Sequence, residues 1–312
     1  MKRHTRDAYA EALVELGRKR PEVVVLDADL SVSTRTARFA EAFPDRFFNC
    51  GIAEQNMLGI AAGLAASGKI PFVSTFAVFA SMRACEQIRQ SIAYPRLKVR
   101  VVASHGGITV GADGASHQCT EDAGVMRAIP NMTVVIPADA TETAWAVHQI
   151  VDIPGPVYMR LGRPAAPVVY PDASRLRWGK VTLLREGSDV ALLGTGIMVS
   201  RCLEASAILE AEGVEAAVGA VSVLKPLDEE SVVALARRCG AVVTAEEHSV
   251  IGGLGSAVCE CLAERYPVPV RRVGIGDVFG QSGEPDELLA HYGLTPEAIA
   301  EAALEVMRRK QS

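Results

Sequence analysis

The feature that most restricts how this chain can fold is a repeated alternation. Short, unbroken runs of Val, Ile and Leu are separated by segments with helical periodicity. "EVVVLDADL", "IPFVSTF", "KVRVVASHGG", "MTVVIPAD" and "GPVYMRL" read as strands. Between them, "TRDAYAEALVELGRKRP", "IAEQNMLGIAAGLAASG" with its stop at Gly68, "FASMRACEQIRQSIAY", "TEDAGVMRAIP" and "ATETAWAVHQIVDI" read as helices. Strands apolar on both faces need cover on both faces, which predicts a parallel sheet between helices. After Gly162 the alternation lapses through "GRPAAPVVYPDASRLRWG", read as a linker with a short strand or two. It resumes with "DVALLGTG", "SRCLEASAILEAEG", "VEAAVGAVSVLKP", "DEESVVALARRCG", "AVVTAEEHS", "GGLGSAVCECLAERYP" and "PVRRVGIGD". The predicted fold class is α/β with two doubly wound domains: residues 1–165, a linker at 166–185, and a smaller domain at 186–312.

Composition narrows the function. With 49% hydrophobic and 22% charged residues in 312 positions, the chain can fill two cores and is not a disordered one. A net charge of −5 without a basic stripe argues against nucleic acid as a partner, and the basic end "VMRRKQS" reads as a solvated helix end. Seven scattered cysteines without a CxxC pair predict reduced thiols and a cytoplasmic location. No run approaches the ~18 apolar residues of a membrane span, and "MKRHTRDAYAEAL" lacks the apolar stretch of a signal peptide.

Open parallel sheets bind ligands outside the carboxyl ends of their strands. The polar residues placed there are Asp27, Asp29, Ser74, Thr75, Ser104, His105, Asp139 and Arg160. The densest polar stretch, "SHGGITVGADGASHQCTED", holds four glycines that permit close backbone approach, and His105, Asp113 and His117. A functional loop is the reading preferred over an ordinary surface loop, and a zinc site from its three mixed ligands is a weaker alternative. "LLGTGIMVS" has Val199 where a dinucleotide loop needs a small residue, so it reads as a plain strand-to-helix turn. Glu246, Glu247 and His248 read as solvated charges at a helix start, with an acid/base pair as the sharper alternative. Glu54 opens a helix whose following residues are mostly small: Gly59, Ala61, Ala62, Gly63, Ala65 and Ala66. The helix macrodipole tolerates a carboxylate there. In a tightly packed helix it needs more: a proton, a cation or a hydrogen-bond donor.

"GIAEQNMLGIAAGLAASGKIPFVSTFAVFASMR" followed by "SHGGITVGADGASHQCTED" resembles the pyrimidine-binding half of transketolase. The stretch from about 186, with "LKPLD" and "EEHSVIGGLGSAV", resembles that family's C-terminal domain. The family's diphosphate-binding domain, with a GDG motif and a following Asn for metal and diphosphate, has no counterpart in this sequence. The chain therefore resembles the C-terminal (beta) subunit of a split transketolase whose other half is a separate polypeptide.

The resemblance implies thiamine diphosphate as cofactor, with Mg2+ or Ca2+ held mainly by the partner. It implies that Glu54 hydrogen-bonds N1′ of the aminopyrimidine, so that the 4′-nitrogen takes the proton from C2 of the thiazolium. Phe76 and Phe79 match aromatics packed on the pyrimidine, with Met82 where many members have Tyr. Asp29 matches an acid near the cofactor. His105 and Asp113 match ligands of sugar hydroxyls, and His117 a histidine beside the reacting carbon. Arg6, Ser33 and Arg160 match residues that hold the sugar phosphate. Gln55 and Asn56 depart from the His and Ala of other members. The implied reaction is transfer of a two-carbon ketol unit from a ketose phosphate to an aldose phosphate. The implied assembly is α2β2, with the Glu54 helix at a self-contact. Rival readings are the beta subunit of a 2-oxo-acid or acetoin dehydrogenase, a deoxyxylulose-phosphate-synthase-like enzyme, and a non-catalytic regulatory subunit.

Overall fold

The computed structural model describes residues 1–310. Strands in the first half are β1 (Lys2–His4), β2 (Val23–Asp27), β3 (Phe47–Asn49), β4 (Ile70–Phe76), β5 (Arg100–Ser104), β6 (Thr133–Val135), β7 (Val157–Arg160) and β8 (Ala165–Pro167). They continue with β9 (Thr182–Arg185), β10 (Val190–Gly194), β11 (Ala216–Ala220), β12 (Val223–Lys225), β13 (Val242–Ser249) and β14 (Val270–Ile275). A seven-stranded sheet has the order β12-β6-β7-β5-β4-β2-β3 and a five-stranded sheet the order β14-β13-β10-β11-β9. In the larger sheet every pairing is parallel except β12 with β6. In the smaller one only β9 with β11 is antiparallel. The central strands β2, β4, β5 and β7 are buried along their whole length, as unbroken apolar runs in a doubly covered sheet must be.

Two details depart from the sequence reading. "VEAAVGAVSVLKP" forms two strands: β11 stays in the smaller sheet, and β12 crosses to the edge of the larger one. "FASMRACEQIRQSIAY" is not a plain α-helix. It contains two wide turns, Phe79–Arg83 and Ile88–Ala93, in which backbone N–H groups reach five residues back, as Ala84 does to the Phe79 carbonyl at 3.2 Å. Such bulges recur at functional sites.

The segment after β8 is packed rather than loose. Asp139 caps the helix Ala140–Ile150 through the Glu142 N–H at 2.8 Å. Its other oxygen accepts from the N–H groups of Val169 at 2.7 Å and Tyr170 at 2.8 Å. Glu142 accepts from Ala138 N–H at 2.7 Å and from the Ser222 hydroxyl at 2.6 Å, which ties the two halves of the chain together. Burial pushes the Glu142 carboxyl up to about 7, against those hydrogen bonds and helped by the charge of Asp139. A carboxyl raised on folding binds more protons folded than unfolded, so its contribution is complete at low pH and is lost as pH rises through about 7. We expect Glu142→Gln to escape that loss. Its stability should gain on the wild type between about pH 4.5 and about pH 7, by on the order of 3 kcal/mol, read as a widening difference in melting temperature. An unchanged difference between the two proteins across that span would refute the assignment.

Candidate active site

The carboxyl ends of β4 and β5 deliver a cluster of rings. Phe76, the last residue of β4, stacks on His105 with centroids 3.7 Å apart and lies 5.7 Å from Phe79. His117 meets both phenyl rings edge-on, at 6.3 Å from Phe76 and 5.5 Å from Phe79. His105 follows β5 in a left-handed conformation (φ 60°), which turns the chain out of the strand and into the glycine-rich loop. Its Nδ1 is 2.8 Å from the Ser104 hydroxyl. Burial lowers the His105 imidazole to about 3, aided by the nearby charges of Arg6 and Arg163. At neutral pH it is a neutral hydrogen-bonding group and not a cation.

Glu54 stands at the first position of the helix Glu54–Ala66 and is 2% exposed. Its two oxygens accept from Nη1 of Arg83 at 2.9 and 3.0 Å. The same guanidinium lies over the Phe79 ring, 4.5 Å from its centroid. The carboxylate is thus joined to the ring cluster through Arg83, a residue to which the sequence reading gave no role. Its signal was a lone cation at the close of an aromatic pair.

The other expected residues divide between two places. Asp29, also left-handed (φ 62°), accepts from Asn49 Nδ2 at 2.9 Å beyond β2. Asp113 is exposed on a short turn at Gly111–Asp113, and Met82 is 38% exposed beside Arg83. Arg6 is nearly buried, donating to the Ser33 carbonyl at 2.5 Å and the Arg163 carbonyl at 2.8 Å. Burial and the neighbouring charges of Arg35 and Arg163 lower its guanidinium to about 10, against the pull of Asp7. Arg163 donates to the Val110 carbonyl at the edge of the glycine-rich loop. Arg6 and Arg163 therefore form a cluster of like charges near His105, with Arg35 beside Arg6.

Arg160, expected with Arg6 and Ser33 to hold the sugar phosphate, is not in that cluster. It is 5% exposed, with Nε 3.4 Å from the fully buried Asp122 and Nη2 donating to the Glu247 carbonyl at 2.7 Å. Its own charge is held because Asp122 and Glu247 outweigh the desolvation that burial imposes. Along β7 side chains alternate, and position 160 faces the junction with β13. Arg160 backs the start of the loop at Gly106 and Gly107, and Arg163, three residues on, reaches it at Val110.

The trio Glu246, Glu247 and His248 is likewise not solvated. All three lie on β13 and are buried. Glu246 caps the helix Leu254–Arg265 through the N–H groups of Leu254 and Gly255 at 2.7 and 2.8 Å. Glu247 accepts from Thr109 N–H at 2.8 Å, and His248 Nε2 from Gly124 N–H at 3.1 Å. Among the described residues no three His, Cys, Asp or Glu side chains converge on a metal position, and no helix is long and apolar enough to cross a membrane.

Two family models match the chain: the transketolase pyrimidine binding domain over residues 1–168 and the transketolase C-terminal domain over residues 179–299. The chain is 48% identical over 305 residues to the 6-deoxy-6-sulfo-D-fructose transketolase subunit SqwH of Clostridium sp. (strain MSTE9), covering 98% of this chain and 95% of that one. It is 40% identical to an apulose-4-phosphate transketolase subunit of Phocaeicola vulgatus, covering 97% of each. Among solved structures it is similar to a split gene transketolase described as an inactive β4 tetramer, with TM-score 0.93, 55% identity, and 98% and 99% of the two chains covered.

Proposed function

This chain belongs to the transketolase family, and from that premise we propose that it is the C-terminal subunit of a two-subunit transketolase, moving a two-carbon ketol unit from a ketose phosphate to an aldose phosphate. Dependence on thiamine diphosphate comes with the family. The observation that carries the reading is the buried Glu54 carboxylate beside the ring cluster Phe76, Phe79, His105 and His117. A buried carboxyl group next to stacked phenyl rings suits an aminopyrimidine, which is flat and presents a ring nitrogen able to share a proton with it.

When bound, the cofactor supplies the nucleophilic carbon and the electron sink for breaking and remaking the bond beside the ketose carbonyl. Glu54 holds the proton shared with the pyrimidine nitrogen. Phe76 and Phe79 position the ring, and Met82 and Asp29 border it. His105, neutral by burial, hydrogen-bonds sugar hydroxyls together with Asp113, and His117 moves a proton at the sugar oxygen. Arg6, Arg163 and Ser33 take the substrate's phosphate, for which planar guanidinium forks are suited. Mg2+ or Ca2+ and the diphosphate belong to the separate N-terminal subunit. Relatives of matching length that are themselves named as subunits support that division.

An α2β2 assembly fits the exposed face of the Glu54 helix. Gln55, Asn56, Gly59, Ile60 and Gly63 lie on it, and a Cβ added at Gly59 or Gly63 would meet nothing. That flat face suits close packing against a second copy.

The test combines the chain with an N-terminal transketolase subunit, thiamine diphosphate and Mg2+, then assays xylulose 5-phosphate with ribose 5-phosphate and other ketose and aldose phosphates. Ketol transfer is expected from the mixture and absent from the chain alone. Turnover by the chain alone, or acyl-group chemistry on a 2-oxo acid by the mixture, would sink the proposal.

A further inference from the structure

We infer that Arg83 is a displaceable stand-in for the cofactor's pyrimidine, so that the Arg83–Glu54 ion pair and cofactor binding exclude each other. The inference rests on the reading of Glu54 as the pyrimidine's partner.

Three contacts carry it. Arg83 Nη1 reaches both oxygens of Glu54, at 2.9 and 3.0 Å. Its guanidinium lies on the Phe79 ring at 4.5 Å. The carboxylate is 2% exposed while the Arg83 side chain is 48% exposed. A guanidinium and an aminopyrimidine share the features this place reads: both are planar, both present an in-plane N–H to Glu54 (the ring nitrogen through the proton it shares with that carboxyl), and both stack on an aromatic face. Arg83 therefore meets the demands of the same two protein groups that the pyrimidine would meet. Both cannot hold this place together, because the guanidinium already covers the Phe79 face, 4.5 Å from the ring centroid, on which the pyrimidine would stack.

The chain on its own has reason for such a stand-in. A carboxylate buried without a partner is costly, and Arg83 removes that cost until the ring arrives. Release is also cheap. The Arg83 backbone is held by its own carbonyl, which accepts from Gln55 Nε2 at 3.0 Å. The side chain is half in solvent, so the guanidinium can swing outward without moving the helix.

The test uses Arg83→Met, which keeps the apolar stem and removes the fork, in the assembled two-subunit enzyme. Calorimetric titration with thiamine diphosphate and Mg2+ should give an affinity several-fold to about tenfold tighter than wild type, the scale of one half-exposed ion pair. The isolated Arg83→Met chain should melt lower than wild type, and Glu54→Gln added to it should restore the difference. Unchanged affinity would overturn the inference. Weaker affinity would overturn it too, and would make Arg83 a cofactor ligand. Failure of the underlying reading looks different: Glu54→Gln alone would then leave cofactor affinity and turnover intact, whatever Arg83 does.

Discussion

Glu54→Gln is expected to lower kcat of the assembled enzyme by about 10²–10⁴-fold, the usual range for loss of a positioned proton-transfer group. The substitution changes one atom's chemistry and almost none of the shape. Glutamine fills the same space at the start of the helix and accepts a hydrogen bond through its oxygen, but it cannot hold the proton shared with a ring nitrogen. The fold should survive, because the change removes a buried charge rather than stranding one. Arg83, which loses its partner, is 48% exposed and can turn to water. The measurements are steady-state ketol transfer and circular dichroism on the same preparation. A folded variant with wild-type kcat would end the assignment of Glu54 as the acid that activates the cofactor.

The second large effect separates two arginines that are three positions apart. Arg160→Leu should cost about 3–5 kcal/mol of stability, the typical penalty for breaking a buried ion pair from one side. Asp122 is fully buried and Glu247 nearly so, and the Arg160 charge is what balances them. The variant should melt far below wild type or fail to accumulate. Arg163→Ala should behave in the opposite way. It leaves no buried carboxylate uncompensated, so melting should change little, while KM for phosphorylated sugars rises by about 10–100-fold, the worth of a charge-assisted hydrogen bond of about 1.5–3 kcal/mol. Unphosphorylated sugars should show a smaller change. If Arg160→Leu melted normally and only KM rose, the phosphate contact would belong to Arg160 after all.

These arginines mark where sequence reading stops. Both follow the same apolar run, and both stand at the carboxyl end of a strand in a fold that binds ligands there. Strand alternation sends one of them into the junction with β13, and only the spatial neighbours Asp122 and Glu247 identify which. The same holds for Glu246, Glu247 and His248. As a string they resemble a charged helix start, but the extended strand β13 buries all three and turns each into a cap or a tie. "VEAAVGAVSVLKP" likewise read as one strand because nothing local separates Ala220 from Val223. The crossing of β12 to the other sheet is a long-range pairing with β6.

The layered α/β architecture, the place of Glu54 at the mouth of a small-residue helix, the aromatic pair after β4 and the histidine-bearing loop after β5 were all legible in the chain. Those features are local. Periodicity, glycine stops and strand-end polarity depend on residues close in the chain, and they persist in any fold that uses them. What each charge faces emerged only with the folded chain: Arg83 on Glu54, Arg160 on Asp122, and Arg163 with Arg6 beside the loop. The physical reason is that a charge's role is fixed by desolvation and by partners within a few ångströms. In this chain those partners lie 29 positions away for Arg83, 38 for Arg160, and 157 for the Arg6–Arg163 contact, that is, 83 − 54, 160 − 122 and 163 − 6.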